Sequence, residues 1–558
     1  MPEMSAALLP AALLSAASHG VIAVAGAAGL LALVASVAAL RPVLRRSRRP
    51  HPLPRLAELS GLAAFLLALA ALAGFLITGP QQVIVQTGHP LADLFMPGLR
   101  LDAVSVTMLV LVSFIGWIVL RYSRTYLDGE ARQGAFTGWL CLTLAAVILL
   151  VSAATLAQIW LAWVMASQSL MQLLRFYPER PGVTKVLAKK RLSAWTGDAV
   201  LLAGVLALGF TYGTGDIAAI LAEARMGEGG TLAVAAAALI ALAACLKSAQ
   251  FPLHGWLTEV MEAPTPVSAL LHAGVINAGG FLLVRFADVM LLSPGVLALL
   301  VVIGGFTALF GALVMLTQPL VKTALAWSTV AQMGFMVLQC GFGLFHLALL
   351  HIVAHSLYKA HAFLSSGTAV EAVTAASRPG PVAVPEARAV ARAFALAVGV
   401  YALAAAAFGW ADKPPQALAL GVILIFGVAY LMAQGLAGAA PRGLMLRTIA
   451  ASLATAAAYF AFHGVAAAIY GGTLPPVPQP GPLETALLLL SLASFGAVAV
   501  TQAMFPLWAA HPAAAGLRVH LANGLYVNAL LDRWLARPAL PCAPDLLTSF
   551  VLFSERET

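Results

Sequence analysis

Stretches of about 20 apolar residues, the length of helix that crosses a bilayer, recur from one end of this 558-residue chain to the other. In hydrocarbon no water satisfies a backbone amide, so only helices and closed barrels can span it. Runs of this length select helices. Charged residues make up 9% of the chain and hydrophobic ones 61%, whereas a soluble domain is roughly 25% charged. The fold class is an all-α polytopic membrane protein, with the lipid bilayer as its solvent. Spans are expected near 17–40, 58–78, 101–121, 134–153, 155–174, 194–212, 231–251, 264–290, 294–316, 319–340, 345–369, 391–410, 416–436, 446–470 and 484–507. That makes about fifteen transmembrane helices.

The loops orient this array. RPVLRRSRRPHPLPR, after the first span, carries Arg41, Arg45, Arg46, Arg48, Arg49 and Arg55. By the positive-inside rule it is cytoplasmic, so the N-terminus lies outside. Alternation then requires basic loops at 121–132, 175–193, 376–392 and 441–447, and a basic tail after 508. Each is basic, the loop 175–193 through Arg175, Lys185, Lys189, Lys190 and Arg191. The opposite loops 79–99 and 471–484 contain neither lysine nor arginine. The expected location is a bacterial inner membrane, with a periplasmic N-terminus and a cytoplasmic C-terminus. Topology accounts for the net charge of +9, so nucleic acid is not an expected partner. Cys141, Cys245, Cys340 and Cys542 are far apart and form no CxxC, so neither a disulfide framework nor a cysteine-held metal or cofactor is expected. The N-terminus starts with acidic Glu3 and lacks a basic n-region, so no cleaved signal peptide is expected.

Titratable residues inside the apolar runs carry the functional signal. A lysine in the bilayer centre costs about 2.5–3.5 kcal/mol on insertion scales, which makes ion and proton pathways the usual reason for one. Lys247 stands five residues before Pro252 in KSAQFPLHGWLTEVMEAPTPVSALLHAG. Pro252 has no N–H, so the helix is expected to break there and leave the Ser248 carbonyl free. The alternative for Lys247 is a side chain that snorkels to the cytoplasmic interface. His272 follows Pro264 and Pro266, one turn after Ser268 on the same face. Its imidazole exchanges protons near neutrality, though a lone histidine on an apolar helix can simply be packed.

In HIVAHSLYKAHAFLSSG, His351, His355 and Lys359 stand at i, i+4 and i+8, a single stripe about 12 Å long. The two histidines have zinc-ligand spacing, but no glutamate follows His351, and no metal is expected. His361 points off the stripe. Lys322, after Pro319, reads equally as a relay group beside Ser328, Thr329 and Gln332 or as an interfacial anchor. Glu259 and Glu262 border the expected helix break; they either feed protons inward or are simply solvated. These residues point to a membrane subunit that conducts protons.

The same motifs resemble the proton-conducting antiporter-like family, which includes the large antiporter subunits of respiratory complex I, the Mrp antiporters and the membrane subunit of DAB inorganic-carbon accumulation complexes. The stretch from Lys247 to His272 looks like that family's lysine, broken helix and histidine. VKTALAWSTVAQMGFM and HSLYKAHAFLSSG look like its next two lysine-bearing helices, TGDAVLL at 196–202 like its GD motif, and VHLANGLYVNALLDRWL like its C-terminal segment. The resemblance implies inverted repeats around two broken helices, with Lys247, His272, Lys322 and Lys359 as relay positions. The organisation expected is N-terminal helices over 1–100, an antiporter-like core over 101–370, further helices over 371–507 and a cytoplasmic tail over 508–558.

Two departures narrow this reading. The family's fifth helix normally carries a Trp-Glu pair that tunes the central lysine, but here Val164 follows Trp163. An Asn-Arg pair usually precedes the GD motif, where this chain has Ala194 and Trp195. Asp198 is left as the expected counter-charge for Lys247. Nor do the spans at 391–410 and 416–436 hold the Pro-rich, lysine-bearing segment of respiratory members.

The DAB-type membrane subunit is the closest resemblance. It implies use of the proton-motive force to drive a large cytoplasmic partner with a carbonic-anhydrase-like zinc site, the chain itself being a transport subunit and not an enzyme. The alternatives are a proton-pumping subunit of a respiratory or hydrogenase-like complex, and a cation/proton antiporter.

Overall fold

A computed structural model describes residues 3–40, 52–85, 97–180, 182–260, 263–367, 387–409, 413–435, 442–504, 508 and 511–535. The N-terminal helices α1 (Glu3–Leu40) and α2 (Leu53–Thr78) pack against each other and against the core. Strands β1 (Gln81–Ile84) and β2 (Gly98–Leu101) pair antiparallel, with Gln81 opposite Leu101. This small sheet is an addition to the all-helical expectation, in the segment read as a plain outer loop. The core follows as α3 (Ala103–Tyr126), α4 (Gln133–Val151), α5 (Leu156–Leu174), α6 (Val183–Tyr212), α7 (Ile217–Arg225) and α8 (Gly230–Lys247). Asp102 caps α3, its carboxylate accepting the Ser105 amide at 2.8 Å, which satisfies one of the free amides of a helix start.

Where the sequence places a helix break, the structure has one. Helix α8 ends at Lys247, and Ala249 takes a positive φ of 48°, a conformation that continues neither helix nor strand. One short turn, α9 (Gly255–Thr258), precedes α10 (Thr265–Ala273), which begins just after Pro264 with Pro266 in its first turn, where a missing N–H costs nothing. Gly274 then bends the chain (φ −123°, ψ −82°) into a 3₁₀ turn and α11 (Ala278–Arg285). The short α12 (Ala287–Leu291) completes this span. The core closes with α13 (Pro294–Met315), α14 (Val321–Gly341) and α15 (Phe345–Leu364). Glycines set the α13–α14 contact: a Cβ on Gly304 would lie 2.6 Å from the Gly334 carbonyl oxygen, so these backbones approach as only small residues permit.

The remaining helices are α16 (Ala387–Ala407), α17 (Pro415–Gly435), α18 (Arg442–Tyr470) and α19 (Pro482–Ala503). Helix α16 runs unbroken from Ala387 to Ala407. Its sequence contains no proline, so nothing interrupts its hydrogen-bond ladder. Buried side chains of α16, α17 and α18 form an apolar cluster of their own, and a third cluster joins α13–α15 to α17 and α19.

Twelve described helices are long and apolar enough to cross a membrane. Helices α5, α14 and α17 occupy the other three expected places. Polar residues such as Gln158, Gln168 and Gln172 lower the hydropathy of α5, and Lys322 and Gln332 do the same in α14; the described apolar stretch of α17 covers Pro415–Gly427. The tail is also ordered: α20 (Pro512–Ala522), a 3₁₀ turn and α21 (Val527–Leu535) fold back onto the core. Residues 368–386, Glu262 and Asp412 lie outside the described residues, as does everything after 535.

Candidate proton-transfer site

The titratable residues fall into two groups along the core. The first surrounds Lys247, which is 5% exposed. Its ammonium donates to the Ser167 hydroxyl and lies 4.3 Å from the centre of the Trp163 ring. Both partners sit on α5, four residues apart and therefore on one face. A desolvated cation over an aromatic ring gains about 2 kcal/mol, comparable to the insertion cost of a lysine. Lys247 thus points into protein, with its charge held by a ring and a hydroxyl.

Asp198 is buried on α6 and interacts electrostatically with Lys247 and with Lys190. It makes no ion pair with Lys247 within 4 Å among the described residues, and its Oδ1 is buried without a hydrogen-bond partner. Asp198 therefore acts on Lys247 through space.

The second group surrounds His272, which is fully buried at the end of α10. Its Nδ1 lies 3.0 Å from the Thr329 hydroxyl, and its ring stacks on Phe363 at 4.4 Å between centroids. His355 reaches the His272 carbonyl through Nε2 at 3.2 Å. The His351 ring lies 6.0 Å from that of His355, and its Nδ1 contacts Gln339 Oε1 at 3.0 Å. Lys359, fully buried, donates to the Leu325 carbonyl at 2.9 Å. So α10, α14 and α15 bring His272, His351, His355 and Lys359 together, with Thr329 and Gln339 as uncharged partners. Lys322 is half-buried, and its ammonium donates to Thr265 at 3.0 Å, joining α14 to the first residue of α10. Among the described residues no hydrogen bond joins the two groups directly.

Several site residues escaped the sequence reading. The sequence puts Lys189 and Lys190 in the basic loop 175–193. Instead α6 starts at Val183, and both lie inside it, 5% and 1% exposed. Lys189 bridges Glu259 at 2.7 Å and Asp532 of the tail at 2.8 Å. Lys190 sits 4.0 Å from the Trp256 ring centre. Trp163 and Ser167 are the actual partners of Lys247, and an aromatic and a hydroxyl in an apolar helix give no sequence signal of that role. His346 and His463 face each other across α15 and α18, Nε2 to Nε2 at 3.5 Å, from spans too distant in sequence to be linked by spacing. Near the β-sheet, Asp102 is clasped by Arg285 at 2.5 Å and Arg100 at 2.9 Å. Burial pushes the Asp102 carboxyl up, but the guanidiniums of Arg285 and Arg100 outweigh it and hold it below the usual carboxylate range.

The family profile described as NADH:quinone oxidoreductase/Mrp antiporter, TM, matches residues 153–435, half of the chain, across both groups. This chain belongs to the NADH:quinone oxidoreductase/Mrp antiporter family. A second profile, for the N-terminus of chain 5 of complex I, matches residues 95–137. Among relatives of this antiporter-family chain is the probable inorganic carbon transporter subunit DabB2 of Halothiobacillus neapolitanus, 38% identical over 87% of this chain and 88% of its own length. The probable inorganic carbon transporter subunit DabB of Hydrogenovibrio crunogenus is 46% identical over 48% of this chain and 52% of its own. The NADH-quinone oxidoreductase subunit L of Mycobacterium tuberculosis is 35% identical over 50% and 44%. A chain of the Mrp complex from Dietzia sp. shares the fold, with TM-score 0.55 at 24% identity, covering 96% of this chain and 59% of that one.

Among the described residues no three His, Cys, Asp or Glu side chains converge as a metal site. His351 and His355 are instead engaged with Gln339 and the His272 carbonyl.

Proposed function

We propose that this chain is the proton-conducting membrane subunit of an inorganic-carbon accumulation complex. In this reading the proton-motive force drives a large cytoplasmic partner, whose carbonic-anhydrase-like zinc site converts CO2 to bicarbonate. The observation that carries it is similarity to a probable inorganic carbon transporter subunit along 88% of that relative's length. The geometry of the lysine site agrees: Lys247 is buried against Trp163 and Ser167 with no carboxylate bonded to it. A respiratory-type switch would use the Trp-Glu pair that the chain lacks at Val164.

Protons pass by way of Lys359, Lys322, His272 and Lys247, with His351 and His355 extending the path along α15. Each step moves one proton from an ammonium or imidazolium to a neutral amine, imidazole or bridging water. Asp198 serves as the counter-charge of Lys247 through space. The basic loops and the tail face the cytoplasm, and the membrane is the inner membrane of a bacterium.

The test is expression of the gene with its neighbours in a host lacking carbonic anhydrase. Growth in ambient air that is lost with an uncoupler or with Lys247→Ala supports the reading. Rescue under sodium stress alone indicates antiport. Co-purification with quinone-reactive subunits and no growth rescue indicates a respiratory complex and overturns it.

A further inference from the structure

We infer that Lys190 is a proton station between the inner rim of the core and Lys247. This rests on the proton-conducting reading above and adds a residue to it.

The contact of Ser193 with α8 locates Lys190. Ser193 donates to the Leu246 carbonyl at 2.9 Å, so α6 meets α8 at the residue next to Lys247. Lys190 precedes Ser193 by three residues, about 4.5 Å along the helix axis. It therefore lies one turn from the level of Lys247, on the side of the rim where Lys189 binds Glu259 and Asp532. Its ammonium rests over Trp256 in the short turn after the helix break, and it interacts electrostatically with Lys247 and Asp198. A lysine 1% exposed in an apolar helix costs kilocalories, and no carboxylate lies within ion-pair distance of it among the described residues.

A water-sized void lies beside Trp256, the ring over which Lys190 rests. A cavity of about 20 Å³ lies between Lys189, Ser193, Trp256 and Leu531 of the tail, enough for one water. The proton goes from the rim to this water, from water to the Lys190 amine, and from the Lys190 ammonium to the neutral Lys247 amine. No bond other than N–H and O–H changes.

The experiment uses the full chain, co-expressed with its neighbouring genes, in membrane vesicles loaded with a pH-sensitive dye. Lys190→Met and Lys190→Arg are compared with the native chain at equal assembly. Arginine keeps the charge but does not release its proton. A relay predicts that both variants lose flux by about tenfold or more. Native flux in Lys190→Met overturns the inference, as does recovery in Lys190→Arg, which would leave Lys190 a fixed charge. If Lys190→Met fails to assemble, Lys190→Arg alone decides. Absence of flux in the native chain overturns the proton-conducting reading itself, a different outcome from native flux that ignores Lys190.

Discussion

The core from α3 to α15 and the array from α16 to α19 are both apolar and helical, yet they treat charge in opposite ways. The core buries Lys189, Lys190, Lys247 and Lys359, and its helices break or bend at Ala249 and Gly274. In the second array α16 is continuous, and the buried polar groups described, such as Gln416, Ser452 and His463, include no lysine. Tyr401 there meets an ordinary need, donating to the Leu418 carbonyl at 2.8 Å. An unbroken apolar helix is the low-energy answer to a bilayer. A broken helix beside a buried ammonium is expensive, which makes the core the candidate for function.

The sharpest way to break this contrast is matched substitution. Lys247→Ala is expected to lower proton flux in vesicles on the order of 10²-fold, the lower range for removing a proton-transfer group. Tyr401→Phe in the second array is expected to leave it unchanged. Equal losses would end the distinction between the two regions.

Stability offers the next test. Asp102→Asn leaves Arg285 and Arg100 without their carboxylate, at a cost of about 3–5 kcal/mol, read by thermal unfolding of the purified protein. Because the native Asp102 carboxyl is held low, its stabilisation is complete above the unfolded value of about 3.9. It is lost as pH falls through the folded value. The gap between native and variant should therefore stay constant from neutrality to about pH 5 and narrow in stronger acid. A gap that narrows near neutrality would contradict the ion cluster.

Smaller effects sharpen the picture inside the core. Ser167→Ala removes the hydroxyl that Lys247 bonds, and flux should fall about tenfold, or about 1.4 kcal/mol. Asp198→Asn should change flux less, since Asp198 touches no carrier; unaltered transport would remove it from the path. The smallest effect is expected for Lys413→Ala, between α16 and α17, within about twofold. A larger change in vesicle flux would extend the functional region into the second array.

Much of the fold was legible because hydropathy and backbone satisfaction act locally. Each span is its own hydrogen-bonded unit, and Pro252, Pro264 and Pro266 announce a break wherever they stand. The stripe of His351, His355 and Lys359 was legible for the same reason, since helical spacing alone puts them on one face. What surrounds Lys247 was not. Trp163 and Ser167 come from a helix some eighty residues earlier, and Lys189 reads as a topology signal until Glu259 and Asp532 close on it.

The sequence by itself determined that the chain spans a membrane, where one helix must break and which side chains are costly to bury there, because transfer free energy and backbone geometry belong to residues and short segments. Tertiary structure alone decided which carriers share a pocket, that Lys190 is buried beside Trp256 and that the tail packs back onto the core. Those depend on contacts between distant spans, and the interaction of two buried groups is set by their separation and surroundings in space, which spacing along the chain does not give.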